Sequence, residues 1–225
     1  NRRVDRPNEV DIRIFPKYDE PELIKVGNPA LRPQFTTSLD LGYKTSGNAG
    51  SLYAAVYHRI VDATITRIAT QAPGSPLLYN VFQNAGRSWL TGSELVWQRT
   101  VSPRLSLGAN ASVYRNTFGA FTVLNRYPQP VTYSAARQTL VSGNAKLNAA
   151  IRLPGEWESR VSSAWLAPDL LPQGRIGSRF SLDAGVRKSV QQGRGEVSAN
   201  ATDLLNTMQL RRTIRGTDFR LVSTD

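Results

Sequence analysis

One histidine, no cysteine and a single methionine limit the chemistry open to this chain of 225 residues. Without cysteine there is no disulfide, no thiolate nucleophile and no Cys-based metal site. His58 stands alone in an alternating segment with no identifiable serine partner, so a nucleophile–base pair of the hydrolytic kind is not expected. No catalytic residue, cofactor or metal is therefore assigned, and an enzymatic role is set aside. Charge and aromatic contact remain. The formal charge is +11, yet the basic residues occur mostly singly, with Arg2-Arg3 and Arg211-Arg212 as tight pairs in polar stretches. No compact basic helix or nucleic-acid motif accompanies them, so nucleic acid is not an expected partner. In the longest connection Arg126, Tyr127 and Tyr133 offer charge and stacking to a ligand.

The elements that must position these residues are strands. Along Leu105-Ser106-Leu107-Gly108-Ala109-Asn110-Ala111-Ser112-Val113 one parity is apolar and the other small or polar. Period 2 places the two sets on opposite faces of a sheet. The same alternation predicts strands over residues 35–44, 51–68, 78–101, 104–116, 137–153, 156–167, 178–190 and 195–205, with a further strand beginning near Asp218. Residues 60–68 alternate less cleanly, and Asn84-Ala85-Gly86 is a natural break in the third segment. Residues 1–34, broken by Pro7, Pro16, Pro21, Pro29 and Pro33, read as an irregular lead-in or extracellular loop.

The connections alternate in length. Residues 45–50, Ser102-Pro103, Pro154-Gly155 and residues 191–194 are minimal turns, whereas residues 69–76, 117–136, 168–177 and 206–217 form longer loops. A tilted strand needs about 9–11 residues to cross the hydrocarbon layer, whereas soluble strands average about 5–6. Long two-faced strands with short turns at one end and long loops at the other predict an all-β, antiparallel, up-and-down transmembrane barrel. About eight strands and a truncated ninth are present, so residues 35–225 form part of that barrel. Trp89, Trp97, Trp157 and Trp165 fall on the apolar parities. Glu94, Lys146, Asn148, Arg152, Asp183 and Arg187 fall on the polar ones. An antiparallel soluble sandwich is the competing architecture.

The lead-in carries a family likeness. Asn1-Arg2-Arg3-Val4-Asp5-Arg6-Pro7 and Val26-Gly27-Asn28-Pro29-Ala30-Leu31-Arg32-Pro33-Gln34-Phe35, running into Leu39-Asp40-Leu41-Gly42-Tyr43, resemble the late barrel region of TonB-dependent outer-membrane receptors. Gly92-x-Glu94 and Asp203-Leu204-Leu205-Asn206 look like further features of that family. Within it Gly27, Asn28, Pro29, Leu31 and Pro33 form a structural motif, a rigid connector from loop to strand. The resemblance implies import of a scarce nutrient across the outer membrane of a Gram-negative bacterium. It also implies partners: outer-membrane lipid and lipopolysaccharide, a plug domain and further barrel strands of the same protein. A TonB-type energising complex of the inner membrane would act through a segment not in this chain, and accessory proteins would bind the loops. The alternative is a barrel that anchors a partner without active transport.

Overall fold

In the computed structural model the alternating segments are strands that pair in the order in which they occur. Residues 1–20, 23–48, 50–72, 74–191 and 194–224 are described, 19 and 20 by backbone alone. Pro21, Glu22, Ala49, Pro73, Gln192, Gly193 and Asp225, which fall in the expected lead-in, loops, turns and terminus, lie outside the described residues. From the N-terminus, β1 (Arg2–Asp5), α1 (Glu9–Ile12), β2 (Lys17–Glu20) and β3 (Leu23–Val26) precede a long hairpin, β4 (Gln34–Gly47) and β5 (Gly50–Asp62). Short strands β6 (Ile65–Gln71) and β7 (Leu78–Asn84) lead into the next long pair, β8 (Arg87–Ser102) and β9 (Leu105–Phe118). The alternation repeats with β10 (Phe121–Asn125) and β11 (Val131–Ala135), then β12 (Gln138–Leu153) and β13 (Trp157–Leu166). Then come β14 (Asp169–Leu171) and β15 (Gly174–Ile176), β16 (Arg179–Val190) and β17 (Gly195–Ala201), and finally β18 (Arg211–Arg215) and β19 (Arg220–Thr224).

Nine strands form one antiparallel wall in the order β1-β4-β5-β8-β9-β12-β13-β16-β17. From β4 to β16 its members are 10–16 residues long, enough to cross a hydrocarbon layer. The wall is open: among the described residues no strand joins β17 to β1 or β4. Residues directly opposite in an antiparallel pair share a face, and the register reads both faces across the sheet. One row runs Tyr43–Ala54–Leu95–Ala111–Ala145–Trp165–Phe180. The alternate rows are polar, as in Asp40–Tyr57–Gly92–Tyr114–Ser142 and Arg152–Glu158–Arg187–Ser198. All four tryptophans stand on the apolar face; Glu94, Lys146, Asn148 and Asp183 stand on the polar one. On that polar face Glu158 accepts from Arg160 (2.7 Å) and Arg187 (2.7 Å), and Arg187 also reaches Glu196 (3.3 Å). Gly92 is fixed by close approach. A Cβ there would stand 2.6 Å from that of Tyr114 and 2.8 Å from the Tyr57 hydroxyl, so the two rings fold over a position that must stay bare.

At the turn end the connections are as short as expected. At the other end the connections expected as loops carry strands of their own, at residues 121–125 and 131–135, 169–171 and 174–176, and 211–215. The wall stops at Ala63 (φ 56°) and Gly86 (φ 69°), two left-handed joints at one level. Residues 60–62 complete β5, residues 65–68 turn away from it as the start of β6, and residues 69–71 belong to β6 rather than to a loop. The strand expected near Asp218 is β19, which pairs with β18 and not with the wall. A tight turn joins the two, closed by the Gly216 N–H on the Phe219 carbonyl (2.9 Å), so local pairing wins. The ninth wall member is β1, whose four residues pair with the upper end of β4. These short strands assemble into a platform. It comprises a sheet β2-β3-β7-β6, a hairpin β10-β11 and a sheet β14-β15-β18-β19, with β3 and β7 a parallel pair.

Candidate functional site

The platform starts from a joint at the end of β3. The Gly27 N–H donates to the Arg13 carbonyl (2.8 Å) and the Asn28 N–H to that of Asp11 (2.7 Å), holding α1 against the strand end. The helix is one turn, closed by a capping box between Asn8 and Asp11. A Cβ on Gly27 would collide with the Arg13 carbonyl and amide, so only glycine fits. The Asn28 amide reaches the other way. Its Nδ2 donates to the Phe82 carbonyl (2.9 Å) and Gln83 Oε1 (3.3 Å), while its Oδ1 accepts from the Ala30 N–H (3.0 Å). Pro29 is exposed, and Leu31 and Pro33 are half-buried as the chain descends into β4. Asn84 secures that descent, accepting from the Arg32 N–H (2.9 Å) and donating to the carbonyls of Arg32 (3.0 Å) and Ala63 (2.9 Å). The five motif residues thus lie where α1, β7 and β4 meet.

Hairpin β10-β11 packs on the sheet through a polar knot inside an apolar ring. Asn125 is fully buried; its Nδ2 donates to the Ile68 carbonyl (3.2 Å) and Thr70 Oγ1 (2.9 Å), and its Oδ1 accepts from Gln83 Nε2. Ile68, Ala85, Phe121, Val123, Tyr133 and Ala135 surround it. The three residues singled out in this connection therefore part company. Tyr133 is in the core, its ring 6.0 Å from that of Phe121, and burial pushes its hydroxyl pKa up. Tyr127 meets Tyr79 edge-on at 5.6 Å; burial, then the neighbouring Tyr18 and Tyr79, raise its pKa. Arg126 is exposed at the hairpin tip.

The opposite face of the same sheet looks onto a cavity. Lys25 pairs with Asn80 in register and Arg67 with Phe82, which puts them on the side away from Ile24, Tyr79 and Val81. Across a partly open space of ≈ 450 Å³ they face Leu171, Ile176, Arg212 and Ile214 of the second sheet. Gln173 fastens the two sheets: its Oε1 accepts from the Ala69 N–H (2.8 Å) and its Nε2 donates to the Ala69 carbonyl (2.6 Å), closing the edge of β6 as another strand would. Asp169 ties the second sheet to the wall, accepting from the Tyr114 hydroxyl (3.0 Å) and Asn116 Nδ2 (3.4 Å) on the polar face.

No acidic residue lines this cavity among the described residues. Arg67 lies over the Phe82 ring at 4.5 Å, and neither it nor Arg212 has an ion pair among the described residues. Guanidinium groups offer planar forks that match carboxylate and phosphate oxygens, and the isoleucines and leucines supply an apolar wall. Sequence reading missed Lys25 and Arg67, which sit in segments read as lead-in and as failing alternation. The Arg211-Arg212 pair was the visible signal for Arg212.

His58 has a structural partner, its Nδ1 lying 2.7 Å from Thr91 Oγ1 on the wall. Among the described residues no group of three or more His, Asp or Glu side chains is placed to hold a metal ion. No curated protein matches the chain. A long two-faced meander carrying its loops as a structured platform is the build of an outer-membrane barrel wall. The chain matches the outer membrane protein beta-barrel family over residues 1–225, so it belongs to that family and its place is the bacterial outer membrane.

Proposed function

We propose that the chain is the wall and ligand-capturing platform of a TonB-dependent importer. Carrying this reading is the cavity between the two platform sheets, lined by Lys25, Arg67 and Arg212, without a lining acid among the described residues, and fastened to the polar face of the wall through Asp169. The turn end faces the periplasm and the platform faces outward, as short turns and long loops do in this class of barrel. In hydrocarbon the edge of β4 below β1 and the outer edge of β17, unpaired among the described residues, require partners. Further strands of the same protein close the barrel, and a plug fills the space lined by the polar face. Energy comes from a TonB-type complex of the inner membrane. The cavity takes an anionic compound with an apolar portion, its carboxylate or phosphate on Arg67 and Arg212. Arg126 and the Tyr18–Tyr79–Tyr127 patch form an outer contact for ligand or accessory protein.

The test compares cells carrying the full-length protein, a deletion, and the Arg67→Glu, Arg212→Glu double variant. What is measured is depletion of small anionic compounds from the growth medium, with and without a protonophore. The wild type depletes at least one such compound that the deletion and the double variant leave behind, and the protonophore abolishes the difference. Identical depletion by wild type and deletion would remove import and leave the anchoring role.

A further inference from the structure

The apolar face of the wall carries charge at its two ends: at the turn end Arg99 pairs with Leu107 in register and Lys188 lies over the Trp157 ring at 5.0 Å, and a second set stands near the upper end. On β9 that face runs Leu105, Leu107, Ala109, Ala111, Val113 and then Arg115. Arg115 stands ten residues beyond Leu105. At about 3.3 Å per residue and a tilt of about 40°, that is about 25 Å of height, the full depth of the apolar band of such a barrel. One step higher on the same face, Arg137 lies over the Trp89 ring at 5.7 Å. Arg87 is also here but is paired with Asp62, and Arg2 covers the Phe35 ring at 5.1 Å. Arg115 and Arg137 have no carboxylate partner among the described residues. An arginine at the hydrocarbon boundary turns its head toward an anion in the interface.

Below Arg115 the wall provides room for a chain. His58 and Arg115 rim a shallow groove of ≈ 600 Å³ between Leu39, Leu41, Val113 and Val141. It continues downward along Ala54 and Ala111, beside Tyr43 and Leu95. Its floor is low because Ser93 stands in the row between Val56 and Val113, and Gly143 beyond them. A cation above an apolar trough matches a phosphate above an acyl chain.

We infer that Arg115 and Arg137 bind a phosphate of lipopolysaccharide in the outer leaflet, with one acyl chain lying in the groove between Leu41 and Val113. The inference rests on the proposed orientation, in which the platform faces outward, but not on import. A protein seated this way carries its own annular lipid, which seals the wall beneath the platform. His58 borders the same site, held toward Thr91.

The full-length protein, in mild detergent, is presented with purified bisphosphorylated lipopolysaccharide, its dephosphorylated form, or phosphatidylglycerol, and bound lipid is counted by native mass spectrometry. Wild type retains the bisphosphorylated form. Arg115→Gln lowers its retention about five-fold, and adding Arg137→Gln lowers it about five-fold again, as expected for about 1 kcal/mol per interfacial arginine. Arg152→Gln on the polar face changes nothing. Heat-modifiable migration confirms that each variant folds. Equal retention by wild type and the double variant would overturn the site, as would indifference to the phosphates. Retention of phosphatidylglycerol alone would instead overturn the orientation, a failure distinct from any loss of uptake.

Discussion

The wall and the platform are both antiparallel β-structure, yet they keep apolar side chains in opposite places. On the wall Leu39 and Leu41 are each 73 % exposed and Val113 59 %. On the platform Ile68 and Ala85 are fully buried, and Asn125 of the hairpin donates to the Ile68 carbonyl. The platform folds as water-soluble proteins do, by burying apolar area around satisfied polar groups. The wall buries little against itself; its apolar face is completed by lipid, and its strands are held by the backbone ladder. A membrane supplies one half of this fold and the chain supplies the other.

The sharpest way to break that contrast is to put a charge on each face of one wall strand. Leu95 lies mid-wall on the apolar side, with Ala54 and Ala111 opposite it. Leu95→Arg in the full-length protein should cost about 2–4 kcal/mol, the range for arginine at the bilayer midplane. Val96→Arg, one residue on and facing the polar side, should cost under about 1 kcal/mol, as a solvated surface change does. Urea midpoints of folding into lipid vesicles measure both. Equal costs at the two positions would mean that the wall does not present one face to lipid.

The same contrast explains what could be read without coordinates. A side chain facing lipid and one facing water alternate at period 2 whatever their neighbours are, so the wall strands, their faces and the tryptophan positions stand in the local pattern. The platform does not announce itself this way. Its strands are 3–7 residues long, too short for a clear period, and their burial comes from partners far away in sequence. Gln173 meets Ala69 across 104 residues, and Asn125 meets Ile68 across 57. Tyr133 reads as a ligand contact because tyrosines in a long connection are ordinarily exposed, and only the pairing of β10 with β11 turns it inward. The Gly-Asn-Pro segment was legible as a connector, but which carbonyls crowd Gly27 depends on a helix fourteen residues earlier.

A smaller effect should stay within the platform. Asn125→Ala strands Gln83 and the Thr70 hydroxyl in a buried site without their shared partner. Leaving a buried polar group unsatisfied costs about 1–3 kcal/mol. Limited proteolysis should then cut near residues 126–130 faster by one to two orders of magnitude (about 1.4 kcal/mol per factor of ten in the opening equilibrium). The heat-modifiable migration of the wall should stay unchanged. If the wall loosened together with the hairpin, the two regions would be one cooperative unit and the contrast would fail.

The smallest effect tests the platform's water-soluble character through titration. Burial raises the pKa of Tyr133, and burial with Tyr18 and Tyr79 raises that of Tyr127. In an opened hairpin both hydroxyls return to about 10. Above that pH the closed form holds more protons than the open one, so stability falls as pH rises. The neutral tyrosines' contribution is complete below about pH 10 and is lost as the pH passes through their raised values. Cleavage at the 126–130 tip should therefore accelerate through that alkaline window, and Tyr133→Phe should flatten the rise by removing the more buried of the two hydroxyls. Persistence of the full pH response in Tyr133→Phe would assign it elsewhere. A hairpin that opens in alkali while the wall keeps its heat-modifiable form would place the two regions' stabilities in two different solvents.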